Sequence, residues 1–371
     1  MSVKKHKFSA PGRIEICGNH TDHQHGLVLT AAIDLESVCV ASVNNTNVIK
    51  ITSDVLDPIS VDLTELIPQA NEVGTAAALL RGVASWLYEN GYKIGGFDGH
   101  ISSEIPIGAG LSSSAAFEVL IGNIFKGLFG LDISSLDIAI AGQFAENVYF
   151  GKPCGLMDQL ASSLGGLMTI DFCNKANPVV TPIGADFKGF VLCILDTGKT
   201  HTNLTDDYAE IPFEMKKIAE HFGKEVLREV DPNEFYINIR HLRTYGDRAI
   251  LRAIHFFEEN ERVKKQVLAL KNNDILGFLS LITESGRSSL SYLQNVYRAC
   301  TPSEQGLTLA LALCERFLGA EGAYRVHGGG FAGTVLTFIP EGMEEDFVRL
   351  MSDIFGDSCC RFLNIRGTAK C

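Results

Sequence analysis

A stretch rich in glycine and serine has the residue types of an anion-binding loop. Residues 106–116 read PIGAGLSSSAA, which places two glycines and three consecutive serines close together. Free amides and hydroxyls at the start of a helix bind phosphate, because the helix dipole is positive there. The residues of this predicted phosphate loop are Gly108, Ala109, Gly110, Leu111, Ser112, Ser113 and Ser114.

The flanking residues predict the elements that position this loop. Polar and apolar residues alternate from Phe97 to Ile105, which indicates a half-buried strand. The run from Phe117 to Leu128 is mainly apolar and predicts a buried helix that ends at Gly130. A plain helix cap is the alternative, but one cap uses fewer hydroxyls than three serines provide. The loop lacks the lysine of a Walker A motif and the spacing of a dinucleotide-binding motif, so backbone, helix dipole and metal would have to hold a phosphate.

Two carboxylates and one polar turn complete the set of candidate functional groups. Glu146 lies in a segment of helical, mainly apolar pattern, and Asp158 lies in a predicted short helix between Leu156 and Leu164. An acid in apolar surroundings is either a hydrogen-bonded part of the scaffold or a functional group with a shifted pKa. Residues 18–26 read GNHTDHQHG between two predicted strands, which is a suitable place for a ligand.

Length and composition narrow the class of protein. A chain of 371 residues predicts two domains, which we place at residues 1–180 and 181–371. The net charge is −12 and lysine and arginine form no run, so we expect neither nucleic acid nor membrane as a partner. The ten cysteines are scattered, and no apolar signal segment follows the N-terminus, so we expect reduced thiols and a cytoplasmic protein. An acidic protein that binds a polyanion has to neutralise its charge locally, which indicates a divalent metal ion beside the serine loop.

The second half of the chain is richer in helical patterns. Helices are predicted at residues 213–222, about 245–272 and 274–286, and again from Thr301, with threonine as N-cap, to Gly319. A second glycine-rich turn, His327–Thr334, lies between two predicted strands, and a last helix near 343–355 precedes a strand at 361–365.

Three turns follow one another in the order of known family motifs. Together they resemble the motifs of the GHMP small-molecule kinases, and within these the galactokinases. The three are the polar turn with Arg13 before it, the serine loop and the second glycine-rich turn. Residues 145–159 are similar to that family as well. The resemblance implies an α+β, two-lobed GHMP kinase fold. The N-terminal lobe would be a mixed β/α lobe like the second domain of ribosomal protein S5, the C-terminal lobe a ferredoxin-like α/β lobe, and the active site would lie in the cleft between them.

The resemblance also implies an activity and roles for named residues. The activity would be ATP-dependent phosphorylation of the anomeric hydroxyl of galactose, which yields galactose 1-phosphate and ADP. Asp158 would face that hydroxyl, and Arg13 would keep Asp158 ionised and offset charge on the transferred phosphoryl group. Ser114 and Glu146 would bind Mg²⁺. The sugar would contact Asn19, His20, Asp22, Gly155 and Tyr208. Adenine would lie near residues 75–83, and the partners would be sugar and ATP in a monomer or weak homo-oligomer.

Departures from the family pattern leave alternatives open. Galactokinases usually carry glutamate where this chain has Asn19, and tyrosine where it has His23. Loss of that charge would relax the rejection of a sugar altered at C6, so a kinase for galacturonate or another hexose derivative is one alternative. A galactokinase-like sugar sensor without turnover is a second, although Arg13, Glu146, Asp158 and the serine loop are all present. The spacing of His20, His23 and His25 would also suit a zinc-dependent hydrolase.

Overall fold

Two β-sheets organise the chain. The computed structural model describes residues 4–106, 108–152, 154–174, 177–185, 187–198 and 204–367. Within these ranges the strands form one sheet of seven strands and one of four. Helices cover both sheets, so the α+β, two-lobed architecture predicted from the sequence is confirmed.

The first sheet is built around one long strand. Its strands are β1 His6–Cys17, β2 Leu27–Val43, β3 Val48–Ser53, β4 Ile59–Asp62, β5 Phe97–Ser103, β6 Leu167–Asp171 and β7 Val179–Pro182. The order is β4-β3-β5-β2-β6-β7, with β1 also paired to β2, and only the β3–β5 pair is parallel among these pairings. The 17 residues of β2 are enough for its two halves to pair with different strands, β6 along Leu27–Ala31 and β5 along Ser37–Val43.

Apolar helices pack on this sheet and carry the candidate site. They are α1 Ala76–Glu89, α2 Ser113–Phe129, α3 Ser135–Phe144 and α4 Met157–Leu164, and a π-helical turn at Ala145–Phe150 continues α3. Leu80 of α1 and Phe125 of α2 are completely buried in one cluster with Phe97 of β5. The predicted helix after the serines is confirmed, and it ends as predicted at Gly130, whose φ of 63° is the left-handed conformation that favours glycine.

The second sheet is antiparallel, and its strands are β8 Phe190–Asp196, β9 Ala323–His327, β10 Thr334–Pro340 and β11 Cys360–Leu363. Their order across the sheet is β11-β8-β10-β9. The helices of this half of the chain are α5 Thr205–His221, α6 Pro232–Leu242, α7 Asp247–Lys271, α8 Ile275–Ser288, α9 Gly306–Leu318 and α10 Glu344–Phe355. Leu311 of α9 and Phe347 of α10 are buried against Leu195 and Val335 of this sheet. The second glycine-rich turn joins β9 to β10, as predicted.

A shared apolar core joins the two lobes. Phe187, Phe278 and Phe338 lie within 5.7 Å of one another between ring centroids, and they are buried in one cluster with Ile14 and Leu29 of the first sheet. The chain passes from β7 of the first sheet to β8 of the second after Pro182. The domain division at residue 180 itself stays a prediction.

Two helix starts were predicted incorrectly and one helix was missed. Helix α5 begins at Thr205 rather than at Phe213, because Pro212 is accommodated inside the helix and does not begin it. Helix α9 begins at Gly306, since residues 301–304 form a tight turn in which the Glu304 amide donates to the Thr301 carbonyl at 2.9 Å. The missed helix is α6. It has the kind of start signal that the sequence also shows at Thr301: its side-chain cap is Asp231, followed by a proline at the first helical position.

The expectation of reduced cysteines agrees with the described residues. The nine cysteines in the described ranges are free thiols, and Cys371 lies outside those ranges. No helix of the described ranges combines the length and the apolar character that crossing a bilayer requires.

Candidate active site

The serine loop makes a sharp turn into α2, and its first serine does not cap the helix with its hydroxyl. Gly108, Gly110 and Ser112 have φ values of 80°, 72° and 58°, so three left-handed residues redirect the chain into the helix. Ser112 occupies the N-cap position, yet its side chain makes no hydrogen bond to the helix amides. Its hydroxyl donates instead to Asp158 Oδ2 at 2.6 Å. A plain helix cap would use that hydroxyl on the backbone, so the geometry favours the anion-binding interpretation.

Arg13 joins the loop to α4. Its Nε and Nη2 donate to Asp158 Oδ1 and Oδ2 at 2.7 and 2.8 Å, and its Nη1 donates to the Gly110 carbonyl at 2.6 Å. Arg13 lies on β1 and Asp158 in the first turn of α4, so one guanidinium links a strand, the serine loop and a helix. The side chain of Arg13 is 7% exposed and that of Asp158 is 33% exposed. The carboxylate can therefore contact a ligand, whereas the arginine is enclosed.

The charge of this cluster is set by its contacts. Burial alone would raise the pKa of Asp158, but the charge and hydrogen bonds of Arg13, together with the hydroxyl of Ser112, lower that pKa below its usual value. Burial likewise opposes the charge of Arg13, and the neighbouring Asp158 more than offsets it, so the arginine pKa is raised. Asp158 is thus an ionised carboxylate at neutral pH.

A second carboxylate lies beside the last serine. Ser114 Oγ is 3.5 Å from Glu146 Oε1, and Lys152 Nζ lies 3.2 Å from the same oxygen. The Gln159 amide donates to Glu146 Oε2 at 3.0 Å and to Glu118 Oε2 at 2.9 Å. Mg²⁺ prefers oxygen ligands, and it usually takes one or two of them from protein and the rest from water and substrate phosphate. A hydroxyl and a carboxylate beside the serine loop therefore suit this ion. The roles of Ser114 and Glu146 as ligands stay a prediction.

The polar turn and Gly155 approach each other closely. A Cβ atom on Gly155 would lie 2.0 Å from Asp22 Oδ2, so any larger residue would displace that carboxylate. Burial raises the pKa of Asp22 to about 6, with smaller contributions from the charges of Glu15 and Asp158. Asp22 is therefore close to its titration range at physiological pH, and it lies within electrostatic reach of Asp158.

The second glycine-rich turn contacts two other residues that are predicted to bind the sugar. His20 Nε2 lies 2.9 Å from the Gly329 carbonyl, which assigns the ring hydrogen to Nε2. Burial lowers the pKa of His20, so the imidazole is neutral. The Tyr208 hydroxyl donates to the Gly330 carbonyl at 3.2 Å. This turn therefore orients side chains from both lobes.

Asn19 is completely buried and fully engaged with protein groups. Its Nδ2 donates to Glu15 Oε1 at 2.9 Å and to the Gly328 carbonyl at 2.7 Å. Its Oδ1 accepts hydrogen bonds from Asn295 at 2.8 Å and Ser289 at 3.3 Å. Asn19 thus ties the polar turn to the second glycine-rich turn, and its contact with a sugar stays a prediction.

Some functional groups were not found from the sequence. Glu118, Gln159 and Lys152 surround Glu146, and Glu15 forms a buried ion pair with Arg325 at 2.8 Å. Glu118 stands in the otherwise mainly apolar run of α2, which is the signal that identified Glu146. Glu15 and Arg325 had no comparable signal, because they are far apart in sequence.

The three histidines of the polar turn do not form a metal site. In the described part of the chain, no group of three or more His, Cys, Asp or Glu residues is placed to hold a metal ion together. The rings of His20 and His23 lie 5.7 Å apart between centroids, and His20 bonds to a carbonyl rather than facing a common centre. The zinc-hydrolase alternative therefore has no ligand set among these residues.

Two family models match the first half of the chain. The model of the GHMP kinases N terminal domain matches residues 72–166, which include the serine loop, Glu146 and Asp158. The model of the galactokinase galactose-binding signature matches residues 2–43, which include Arg13, His20 and Asp22.

Known structures and curated relatives agree with these models. The crystal structure of Lactococcus lactis galactokinase complexed with galactose superimposes with a TM-score of 0.86 at 25% identity, covering 99% of this chain and 95% of that one. Methanococcus jannaschii mevalonate kinase shares the fold, with a TM-score of 0.71 at 17% identity over 99% and 100% of the two chains. A galactokinase of Glaesserella parasuis is 32% identical over 349 residues, which are 93% of this chain and 88% of the relative. A Haemophilus influenzae galactokinase is 31% identical with the same coverage.

The fold, the serine loop and the arginine-paired carboxylate, together with these matches, define a small-molecule kinase of the GHMP class. The identity to curated relatives extends over most of both chains and narrows the class further. This chain belongs to the galactokinase family.

The buried Glu15–Arg325 pair under the polar turn gives a prediction for stability. Arg325→Met leaves Glu15 buried without its cation, and such losses cost about 3–5 kcal/mol. We expect that decrease in the free energy of unfolding, measured by urea denaturation. The double variant Glu15→Gln/Arg325→Met removes the uncompensated charge and should recover at least about 1 kcal/mol of it. An unchanged unfolding midpoint for Arg325→Met would contradict this account of the pair.

Proposed function

We propose that this chain is an ATP-dependent galactokinase, which transfers the terminal phosphoryl group of ATP to the C1 hydroxyl of galactose and forms galactose 1-phosphate and ADP. The observation that carries the proposal is the Arg13–Asp158–Ser112 cluster, which places an ionised, accessible carboxylate at the edge of the serine loop. Membership of the galactokinase family along most of the chain supports the choice of sugar.

Asp158 is proposed to act on the attacking hydroxyl. Its exposed edge accepts a hydrogen bond from the sugar C1 hydroxyl and takes the proton when that oxygen bonds to phosphorus. The bidentate contact with Arg13 holds the carboxylate in one orientation, so the hydroxyl is aligned with the phosphoryl group. The Arg13 charge also offsets negative charge that develops on the transferred group.

The serine loop is proposed to hold the polyphosphate. The uncapped amides at the start of α2 and the hydroxyls of Ser113 and Ser114 point to an anion site, where the helix dipole adds to the attraction. Mg²⁺ bound by Ser114 and Glu146 would neutralise charge on the terminal phosphates of ATP. The protein itself supplies orientation and exclusion of water, since phosphoryl transfer needs little covalent assistance.

The polar turn and its neighbours are proposed to bind the sugar hydroxyls. Asp22 supplies carboxylate oxygens, His20 presents Nδ1 as an acceptor because Nε2 donates to Gly329, and Tyr208 lies at the same glycine-rich turn. Gly155 leaves the space that the Asp22 carboxylate needs. Asn19 is proposed to hold this turn in place and to lie near the exocyclic C6 group of the sugar.

We further propose that the chain works in the cytoplasm on small molecules, as a monomer or weak homo-oligomer, without nucleic acid or membrane partners. The net charge of −12 and the free thiols of the described cysteines support this setting.

Asp158→Asn tests the role of the carboxylate. Asparagine keeps the size of the side chain but cannot take a proton, so kcat should fall at least about a hundredfold while the fold and ATP binding are kept. Steady-state kinetics measure kcat, and titration calorimetry measures ATP binding. The matched control is Asp353→Asn on the exposed face of α10, which should leave kcat within about twofold. Near-normal turnover of Asp158→Asn would eliminate the proposed base.

Gly155→Ala tests the sugar site separately from the phosphate loop. The added methyl group would displace the Asp22 carboxylate, so KM for galactose should rise at least about tenfold while KM for ATP changes less than about twofold. Gly184→Ala is the control, since a Cβ at residue 184 meets no atom within 4 Å. Equal increases in both KM values would show that Gly155 does not act through the sugar.

The choice of substrate is tested by an ADP-release assay with galactose, galacturonate, glucose and N-acetylgalactosamine. We expect galactose to give the highest kcat/KM, by at least about tenfold over each of the others. Activity confined to galacturonate would support the kinase for a C6-modified sugar. Absence of turnover with every sugar, despite ATP binding, would support the sensor.

A further inference from the structure

Lys152 is a cation beside the candidate active site that has no role in the mechanism above. Its Nζ lies 3.2 Å from Glu146 Oε1. The lysine side chain is 58% exposed, whereas that of Glu146 is only 4% exposed. The ion pair therefore combines a fixed carboxylate with an ammonium group that can reach a ligand from the solvent side.

The backbone sets this contact. The π-helical turn that carries Glu146 ends at Gly151, whose φ of 84° is left-handed. The amides of Gly151 and Lys152 both donate to the Glu146 carbonyl at 3.1 Å. Two amides on one carbonyl hold the backbone of Lys152 against that of Glu146, the residue with which its side chain pairs.

The lysine holds the carboxylate oxygen that faces the serine loop. Glu146 Oε2 accepts a hydrogen bond from the buried Gln159 amide at 3.0 Å. Glu146 Oε1 is left for Lys152 and for Ser114, whose Oγ lies 3.5 Å away. A divalent ion bound between Ser114 and Oε1 would repel the ammonium group and release it from this contact.

The other cation of the site is already engaged. Arg13 directs Nε and Nη2 to Asp158 and Nη1 to the Gly110 carbonyl. Of the ion pairs found among the described residues, only those of Arg13 and Lys152 involve Asp158 or Glu146. Lys152 has three donors and uses one of them on Glu146, so it is the group with capacity for a polyphosphate.

We propose that Lys152 is a nucleotide-binding residue that changes partner during the reaction cycle. It pairs with Glu146 in the nucleotide-free protein, and it pairs with the terminal phosphate of ATP when Mg²⁺ is bound beside Ser114. The inference rests on the proposed function, because it requires ATP at the serine loop.

The experiment measures nucleotide binding by titration calorimetry in excess Mg²⁺, with a non-hydrolysable ATP analogue and, separately, with ADP. Lys152→Met should weaken binding of the analogue at least about tenfold and that of ADP less than about threefold, because only the analogue has the terminal phosphate. Lys152→Arg should restore most of the affinity, since it retains the charge. Lys126→Met is the matched control: Lys126 is exposed on the same helix as Ser114, about 18 Å along its axis.

Unchanged binding of the analogue by Lys152→Met would overturn the inference. Equal weakening for ADP and the analogue, or a loss that arginine does not restore, would overturn it as well, because either would indicate a structural effect. These results leave the proposed function intact. If the wild-type chain bound neither nucleotide, both proposals would fail, so the two failures are distinguishable.

Discussion

The candidate site depends on the bidentate ion pair between Arg13 and Asp158. Removing two charges from water is costly, and the pair is favourable only because its geometry is good and its remaining donors are satisfied. Asp158 receives the Ser112 hydroxyl as well, and the third nitrogen of Arg13 meets the Gly110 carbonyl. An apolar pair could hold the same elements together with less desolvation, but it would leave no ionised carboxylate at the loop. The free-energy cost of desolvating these two charges therefore follows from the need for an ionised carboxylate at the loop, and the fold itself does not require it.

A second buried network supports the polar turn from the opposite lobe. Helix α7 contributes His255, whose Nε2 lies 2.9 Å from the Asn19 carbonyl, and Glu259, which accepts the Gly18 amide at 3.1 Å. Burial would raise the pKa of Glu259, but His255, Arg262 and Arg325 lower it, so the carboxylate stays ionised. These contacts cross between the lobes, because α7 of the C-terminal lobe holds a turn that belongs to the N-terminal lobe. The position of the polar turn in the candidate site therefore depends on both lobes.

The sequence could predict those turns and helices whose signals lie within a short stretch of chain. The serine loop, the short helix that carries Asp158, the polar turn and the second glycine-rich turn have signals within about ten residues, and the structure has each of them. Arg13 and Asp158 are 145 positions apart, and Glu15 and Arg325 are 310 apart, so no periodic pattern connects either pair. The first pair was expected only through resemblance to a family, and the second was missed. The wrong starts of α5 and α9 involve proline, which can begin a helix, lie within it or belong to a turn before it: Pro212 lies inside α5, and Pro302 lies in the turn before α9.

The lowered pKa of Asp158 constrains when the proton would move in the proposed transfer. A carboxylate that Arg13 holds ionised is a weak base, so it cannot remove a proton from a free sugar hydroxyl to any useful extent. The hydroxyl becomes acidic only as its oxygen bonds to phosphorus, and in a loose transition state that bond is little formed. In the proposed mechanism proton transfer therefore follows most of the phosphoryl movement, and before it Asp158 would orient the hydroxyl through a charge-assisted hydrogen bond. A stronger base would require a weaker contact with Arg13, and that would lose both the orientation and the positive charge beside the transferred group.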